Sequence, residues 1–312
     1  MVERNVIFEV LKITILGNNS AIPAHGRNPS AQIAEIKDFL LLIDCGEGTQ
    51  MQMIKYGIKR SKIRYILISH LHGDHYFGLI GLINSFGLLG RTDPLHIYCP
   101  ELLPAIIQGQ LDASSAQLPY ELHFHTIADI GERSVLVDDA VCRIRCFPVD
   151  HRIPTHGFVI TEKAKARKLD LEACRQYEIP QYFYKRLQAG EDYEQKDGTI
   201  VQNEWLTLPG LEDKVYAYCA DTRYTLSFVE DVAAADLIYH ESTYLDADAD
   251  LAILRYHSTA VQAAEFAQAA GVGRLMLGHY SSRYKEIEAF EAEAKRVFPN
   301  TVASFEGMEI RV

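Results

Sequence analysis

The segment Ser69-His70-Leu71-His72-Gly73-Asp74-His75 gathers three imidazoles and a carboxylate into six consecutive positions, directly after the apolar run Ile63-Arg64-Tyr65-Ile66-Leu67-Ile68. Imidazole and carboxylate donors suit zinc and related divalent ions, and a strand end is where such donors can converge. In extended backbone, residues i and i+2 point the same way, so His70 and His72 can face one ion. The turn at Gly73 redirects Asp74 and His75 toward another. Each ion needs more ligands, and the candidates stand where an apolar run meets a loop: His151 after Phe147-Pro148-Val149-Asp150, Asp221 after Tyr218-Cys219-Ala220, and His279 after Leu275-Met276-Leu277-Gly278. Singly, each has an ordinary reading as a hydrogen-bonded or surface histidine, or as an aspartate in a turn. Their significance is joint.

The elements that must position these residues are legible as short apolar or alternating runs. Lys12 to Leu16, Phe39 to Asp44, Ile63 to Ser69, Leu95 to Cys99 and Val215 to Cys219 predict strands that end in loops. Gln50 to Tyr56, Leu79 to Leu89, Leu102 to Leu111, Ala260 to Ala270 and Ile287 to Phe298 predict helices, with Gly271 ending the fourth and Pro299-Asn300 following the last. Closely spaced strands are expected from Glu121 to Ile160. Strand-rich stretches inside a β/α alternation imply a layered sandwich with sheets at the centre and helices outside. No Pro/Gly/Ser-rich linker divides the 312 residues, so one core carrying an insertion is expected.

Composition narrows the function classes. A net charge of −11 argues against a generally adhesive nucleic-acid binder, because phosphate affinity comes mainly from Lys and Arg. A polyanion would have to meet a local patch, and Glu162 to Gly190 supplies seven basic residues against four acidic ones. On charge alone this segment is equally a solvated helix face. The six cysteines lie mostly in apolar runs without a CxxC pair, which speaks for reduced, buried thiols in a cytosol rather than zinc-finger ligands or disulfides. The N-terminus has no signal-peptide pattern. The longest greasy stretch, Phe77 to Gly90, is too short to span a bilayer, so neither export nor a membrane role is expected.

With Asp44-Cys45-Gly46-Glu47-Gly48-Thr49-Gln50 upstream and single His, Asp and His downstream, the HLHGDH segment resembles the metallo-β-lactamase superfamily. Within it the chain is most similar to the ribonuclease Z family, the tRNA 3′-processing endonucleases. Pro23-Ala24-His25-Gly26-Arg27-Asn28, His240-Glu241-Ser242-Thr243, His257-Ser258-Thr259 and Tyr280-Ser281-Ser282-Arg283-Tyr284 carry that likeness. The resemblance implies an α/β, four-layer αββα metallo-β-lactamase-like sandwich with an inserted protruding arm. Its core halves would be 1–161 and 213–312 and its tRNA-binding arm 162–212. It implies two zinc ions per subunit: one held by His70, His72 and His151, the other by Asp74, His75 and His279, with Asp221 bridging them and Asp44 steadying the loop. It further implies a cytoplasmic homodimer acting on precursor tRNA. Lys163, Lys165, Arg167 and Lys168 of the arm would contact substrate, and Arg27, Asn28 and Arg283 would lie near the cleaved end. The family usually has Lys where His25 stands, and its Gly-Pro-rich arm stretch is replaced here by Ile179 to Leu187.

The implied reaction is attack of water on the phosphodiester after the discriminator base, leaving a 3′-hydroxyl on the tRNA and a 5′-phosphate on the trailer. Asp74 would orient the water or accept its proton, and His257, positioned by Glu241, would protonate the departing 3′ oxygen. Two other readings stand beside it: a small-molecule phosphodiesterase or other ester hydrolase of the same fold, and a nucleic-acid-binding module with structural metals. The second is disfavoured because structural zinc sites are usually closed and sulfur-rich. His257-Ser258-Thr259 alone would be a plain helix N-cap. The pair His123 and His125, flanking Phe124 in an alternating strand, could chelate or could simply be hydrogen-bonded, and neither is assigned to the site. His156 could act behind the ligands.

Overall fold

The computed structural model describes residues 11–163, 166–210 and 212–312. They form two compact units, one from the described residues of Met1–Glu162 with Val215–Val312, the other Lys163–Lys214. In the first unit, β1 (Lys12–Gly17), β2 (Ala31–Ile36), β3 (Phe39–Ile43), β4 (Ile63–Leu67), β5 (Leu95–Cys99) and β6 (Leu122–Thr126) are followed by β7 (Val135–Asp138), β8 (Cys142–Pro148) and β9 (His156–Glu162). The second unit holds the two-residue strands β10 (Lys168–Leu169), β11 (Tyr193–Glu194), β12 (Ile200–Val201) and β13 (Thr207–Leu208). The chain returns through β14 (Lys214–Tyr218), β15 (Leu237–Glu241), β16 (Leu275–Gly278), β17 (Thr301–Ala303) and β18 (Glu309–Arg311).

Two seven-stranded sheets result, ordered β18-β1-β2-β3-β4-β5-β6 and β17-β16-β15-β14-β9-β8-β7. One apolar cluster lies between them, with Ile13, Leu41, Leu67, Ile144, Phe158, Tyr216 and Tyr239 drawn from both. A second packs the outer face of the first sheet against helices Leu79–Leu88 and Leu103–Ala113, and a third packs the other sheet against Ala260–Ala270 and Glu288–Ala294. That is the αββα layering of the metallo-β-lactamase-like sandwich. Strands buried on both faces read as unbroken apolar runs, as in Phe39-Leu40-Leu41-Leu42-Ile43. Helix Ala260–Ala270 starts at a capping box between Thr259 and Gln262 and stops at left-handed Gly271. The HST segment therefore caps a helix, whatever else it does.

The predicted strands are observed with ends displaced by at most two residues. Helix Glu288–Ala294 is shorter than expected: its chain turns at Lys295 and packs Val297 and Phe298 back onto the core. All six cysteines are buried and free, and burial pushes the Cys45 and Cys99 thiols up to about 12. No helix among the described residues is long and apolar enough to cross a membrane. The second unit has its own small core of Cys174, Ile179, Phe183, Leu187, Val201 and Leu206.

Candidate metal centre

The loops leaving β3, β4, β8, β14, β15 and β16 supply the residues singled out above, and several of these loops begin in strained backbone. Asp44, Ala220 and His279 all have left-handed φ, at 55°, 50° and 61°. Such conformations are uncommon for residues other than glycine and concentrate at functional sites. At Gly46 the backbone of one loop presses on another: a Cβ there would come within 2.4 Å of the Asp74 carbonyl oxygen. That contact explains why the Cys45-Gly46-Glu47 turn needs glycine beside the histidine loop.

The predicted ligand atoms fall into two groups sharing Asp221, and a third group of Glu241, His257 and His279 adjoins the second through His279. His70, His72, His151 and Asp221 form the first; Asp74, His75, Asp221 and His279 form the second, each with its donor atoms within 4.8 Å of one another. Ring nitrogens converge in the first group, with His70 Nε2 2.9 Å from His72 Nδ1 and the latter 3.2 Å from His151 Nε2. Asp221 Oδ2 lies 3.7 Å from His70 Nε2, while Oδ1 faces His75 Nε2 at 3.4 Å and His279 Nε2 at 3.2 Å. Asp74 Oδ2 is 3.5 Å from His75 Nε2 and 3.4 Å from His279 Nε2, and it accepts the Ala21 N–H at 2.7 Å.

Behind the donors, hydrogen bonds set the tautomers. His75 Nδ1 donates to Asp44 Oδ2 at 2.7 Å, and that carboxylate also accepts from Ser69 N, Ser69 Oγ and Tyr218 Oη. Because the Ser69 hydroxyl donates to Asp44, it accepts from His70 Nδ1 at 3.0 Å. His151 Nδ1 donates to the Tyr256 carbonyl at 2.9 Å, and His279 Nδ1 to Thr243 Oγ1 at 3.0 Å. Each bond consumes one ring N–H and leaves the inward nitrogen as a lone pair. Asp44→Asn removes the negative acceptor for His75 while keeping the shape. The expected result is a metal affinity roughly 10–100-fold lower with the fold retained, measured by competition with a chromogenic chelator.

The electrostatics match a cation site. Burial opposes ionisation of Asp221 and Asp74, yet the neighbouring imidazoles, His279 and His75 above all, hold both carboxyls well below their usual range. Burial alone would depress His75, but Asp221, Asp74 and Asp44 overcome it and raise it. His70 is held well below its ordinary value and His72 at about 4, each chiefly by burial, so both present lone pairs at neutral pH. Two donor atoms, His75 Nε2 and Asp221 Oδ1, are buried without any hydrogen-bond partner. Buried polar atoms are rarely left so, and in a nitrogen–oxygen set without cysteine this fits divalent ions such as zinc.

Beside these groups His257 Nδ1 donates to Glu241 Oε1 at 2.8 Å. Glu241 also accepts from Thr222 N, Thr243 N and Thr243 Oγ1, and the His257 ring lies 5.4 Å from that of His279. Arg27 is anchored: its guanidinium donates to Asn19 Oδ1, Tyr284 O and Lys285 O, and Asn28 is held by Glu306. Arg27 thereby ties the Pro23–Asn28 loop to the segment after His279, where Arg283 is exposed, and Asn28 ties it to Glu306. Glu306 and Asn19 were not apparent from sequence, as isolated polar residues carry no local signal. The His156 ring lines an apolar cavity with Leu71 and Ile153 and belongs to neither ligand group. In the second unit Lys168 is exposed, Lys163 is half-buried, Arg167 donates to Thr207 Oγ1, and Lys165 lies outside the described residues.

Comparison with known proteins adds independent findings. A family model described as anti-Pycsar protein Apyc1 matches residues 11–160. The chain is 41% identical over 298 residues to the ribonuclease Z of Porphyromonas gingivalis, covering 96% of this chain and 98% of that one. It is 41% identical over 300 residues to the ribonuclease Z of Parabacteroides distasonis, with the same coverage. The short form of human tRNase Z superposes with a TM-score of 0.70 at 27% identity, over 96% of this chain and 99% of that one.

Proposed function

The chain belongs to the ribonuclease Z family, metal-dependent endoribonucleases of tRNA 3′ processing, and from that premise we propose that it holds two zinc ions in the paired groups described above. His70, His72 and His151 serve one ion, Asp74, His75 and His279 the other, and Asp221 both. The observation that carries this reading is Asp221: its two oxygens face different donor groups, and the inner one is buried without a hydrogen-bond partner. Bound there, divalent ions supply Lewis acidity toward phosphoryl oxygens and ease ionisation of the attacking water.

The chain's own residues do the rest. The Ala21 N–H holds Asp74, which orients the water toward phosphorus. His257 spends Nδ1 on Glu241, so Nε2 is the nitrogen left to protonate the departing ribose 3′ oxygen. Although burial disfavours its charge, Glu241 raises the His257 pKa, which keeps the proton available near neutrality. With water as nucleophile, the 2′-hydroxyl stays intact and no cyclic phosphate forms. Cleavage of a 3′-extended precursor tRNA by the zinc-loaded protein, with product ends mapped, tests this. A 3′-hydroxyl after the discriminator base supports it; a 2′,3′-cyclic phosphate, or hydrolysis of small phosphodiesters only, overturns it.

The second unit, Lys163–Lys214, serves as the arm that grips tRNA. Its aromatics divide: Phe183 is in the unit's core, whereas Tyr182 and Trp205 are exposed and offer stacking faces. Changing Lys168, Lys185 and Arg186 together to alanine should raise KM for precursor tRNA about tenfold or more with kcat little changed, and leave a small phosphodiester unaffected, as steady-state kinetics would read. A homodimer is part of this reading, and exposed apolar side chains such as Met51, Ile54, Phe77, Leu88 and Leu89 are available to an interface. Sedimentation would register a dimer. A cytoplasmic setting accords with the six free thiols.

A further inference from the structure

Three histidines outside the catalytic groups meet on one face of the first sheet. In the parallel register of β4, β5 and β6, Tyr65 pairs with His96, His96 with His123, and Tyr98 with His125. Residues two apart on a strand share a face, so His123 and His125 project to the side that carries His96. His96 Nδ1 lies 3.0 Å from His125 Nε2. The His123 ring stacks on His96 with centroids 4.9 Å apart, and the His125 ring stacks on Tyr98 at 4.6 Å. Strand β6 is the outer strand of its sheet, and all three imidazoles are half-exposed. None of the three belongs to a donor group of the metal centre, so the cluster is distinct from it.

We infer that His96 and His125, on the neighbouring strands β5 and β6, form a surface chelate for a late transition-metal ion such as nickel or copper. Two nitrogens bound at about 2.0–2.1 Å and set at a right angle lie about 2.9 Å apart, close to the separation seen here, and right angles are the preference of tetragonal Ni(II) and Cu(II). The proton now shared between the two nitrogens moves to the far nitrogen of the donating ring, so binding swaps one tautomer and releases no proton. Both rings are neutral at pH 7, since burial, reinforced by the neighbouring imidazoles, lowers His96 and His125. The charged groups facing His96 are Arg64 and Arg91, and Glu121 accepts from His123 Nε2 at 3.0 Å.

The test uses untagged, zinc-loaded protein on a resin bearing immobilised Ni2+, which the buried catalytic histidines cannot reach. Retention of the wild-type protein is expected, with His125→Gln and His96→Gln each eluting near the void while still cleaving precursor tRNA. In solution, calorimetric titration of Ni2+ into the zinc-loaded protein should show one further site per chain whose affinity falls at least about tenfold in His125→Gln. Exposed His25, far along the chain, serves as the control: His25→Gln should be retained like the wild type. Free passage of the wild-type protein, or undiminished retention of the His96→Gln/His125→Gln double variant, overturns the assignment.

Discussion

Asp221→Ala is expected to abolish trailer cleavage, with kcat/KM falling at least about a thousandfold, because this one carboxylate belongs to both donor groups. Its Oδ2 approaches His70 and His151 and its Oδ1 approaches His75 and His279, so its removal takes a donor from each group at once. It also leaves four buried imidazoles without their shared negative charge, which disfavours a cation there even where the remaining geometry persists. Metal analysis should find less than the full complement bound, and added zinc should restore little activity. Asp221→Asn keeps the volume and separates charge from packing: near-normal thermal stability with lost metal and lost cleavage is the expected pattern. A variant that keeps its full metal content and cleaves within tenfold of wild type would remove Asp221 from the bridging role.

His257→Ala should behave differently, losing about 10²–10⁴ in kcat on precursor tRNA while its metal content and KM stay near wild type. The imidazole is anchored by Glu241, and Glu241 retains Thr222 N, Thr243 N and Thr243 Oγ1 as partners when the ring is gone, so the surrounding structure should survive. The informative comparison is an aryl phosphodiester whose leaving group departs without protonation. On that substrate the variant should fall by less than about tenfold, since a general acid is then unnecessary. An equal loss on both substrates would assign His257 to holding the site together rather than to proton transfer. Glu241→Gln should lie between the two, because it keeps a hydrogen-bond acceptor for the ring but withdraws the charge that raises the His257 pKa.

Much of this centre is readable without coordinates because its densest part is local. Four of the seven proposed ligands fall between His70 and His75, where the alternation of an extended segment and the turn at Gly73 bear on which way each donor faces. The apolar run before them announces the strand, and the runs before Asp221 and His279 announce theirs. The helix at Ala260–Ala270 is likewise written in its cap and its closing glycine. The division of the arm's aromatics was not readable, since Tyr182 and Phe183 are chemically similar neighbours and only the packing of a small core buries one and exposes the other.

What the sequence by itself determined is the donor chemistry, the strand-and-loop grammar that presents it, and the family, whose resemblance also implied the grouping of donors. That these donor atoms converge within 4.8 Å of one another, and which imidazoles meet outside them, were decided by tertiary structure. Asp221 reaches His70 only because β14 carries it to the site from the other sheet, and His257 meets Glu241 because its loop folds back beside the end of β15. Arg27 reads in sequence as a free cation near substrate, yet folding brings two backbone carbonyls and Asn19 within hydrogen-bond reach of it. His96 joins His125 through the parallel register of β5 and β6. The physical reason is common to all: side-chain direction repeats over two to four residues and is encoded locally, whereas proximity between distant segments is set by strand order and register, which depend on how the whole apolar surface is buried.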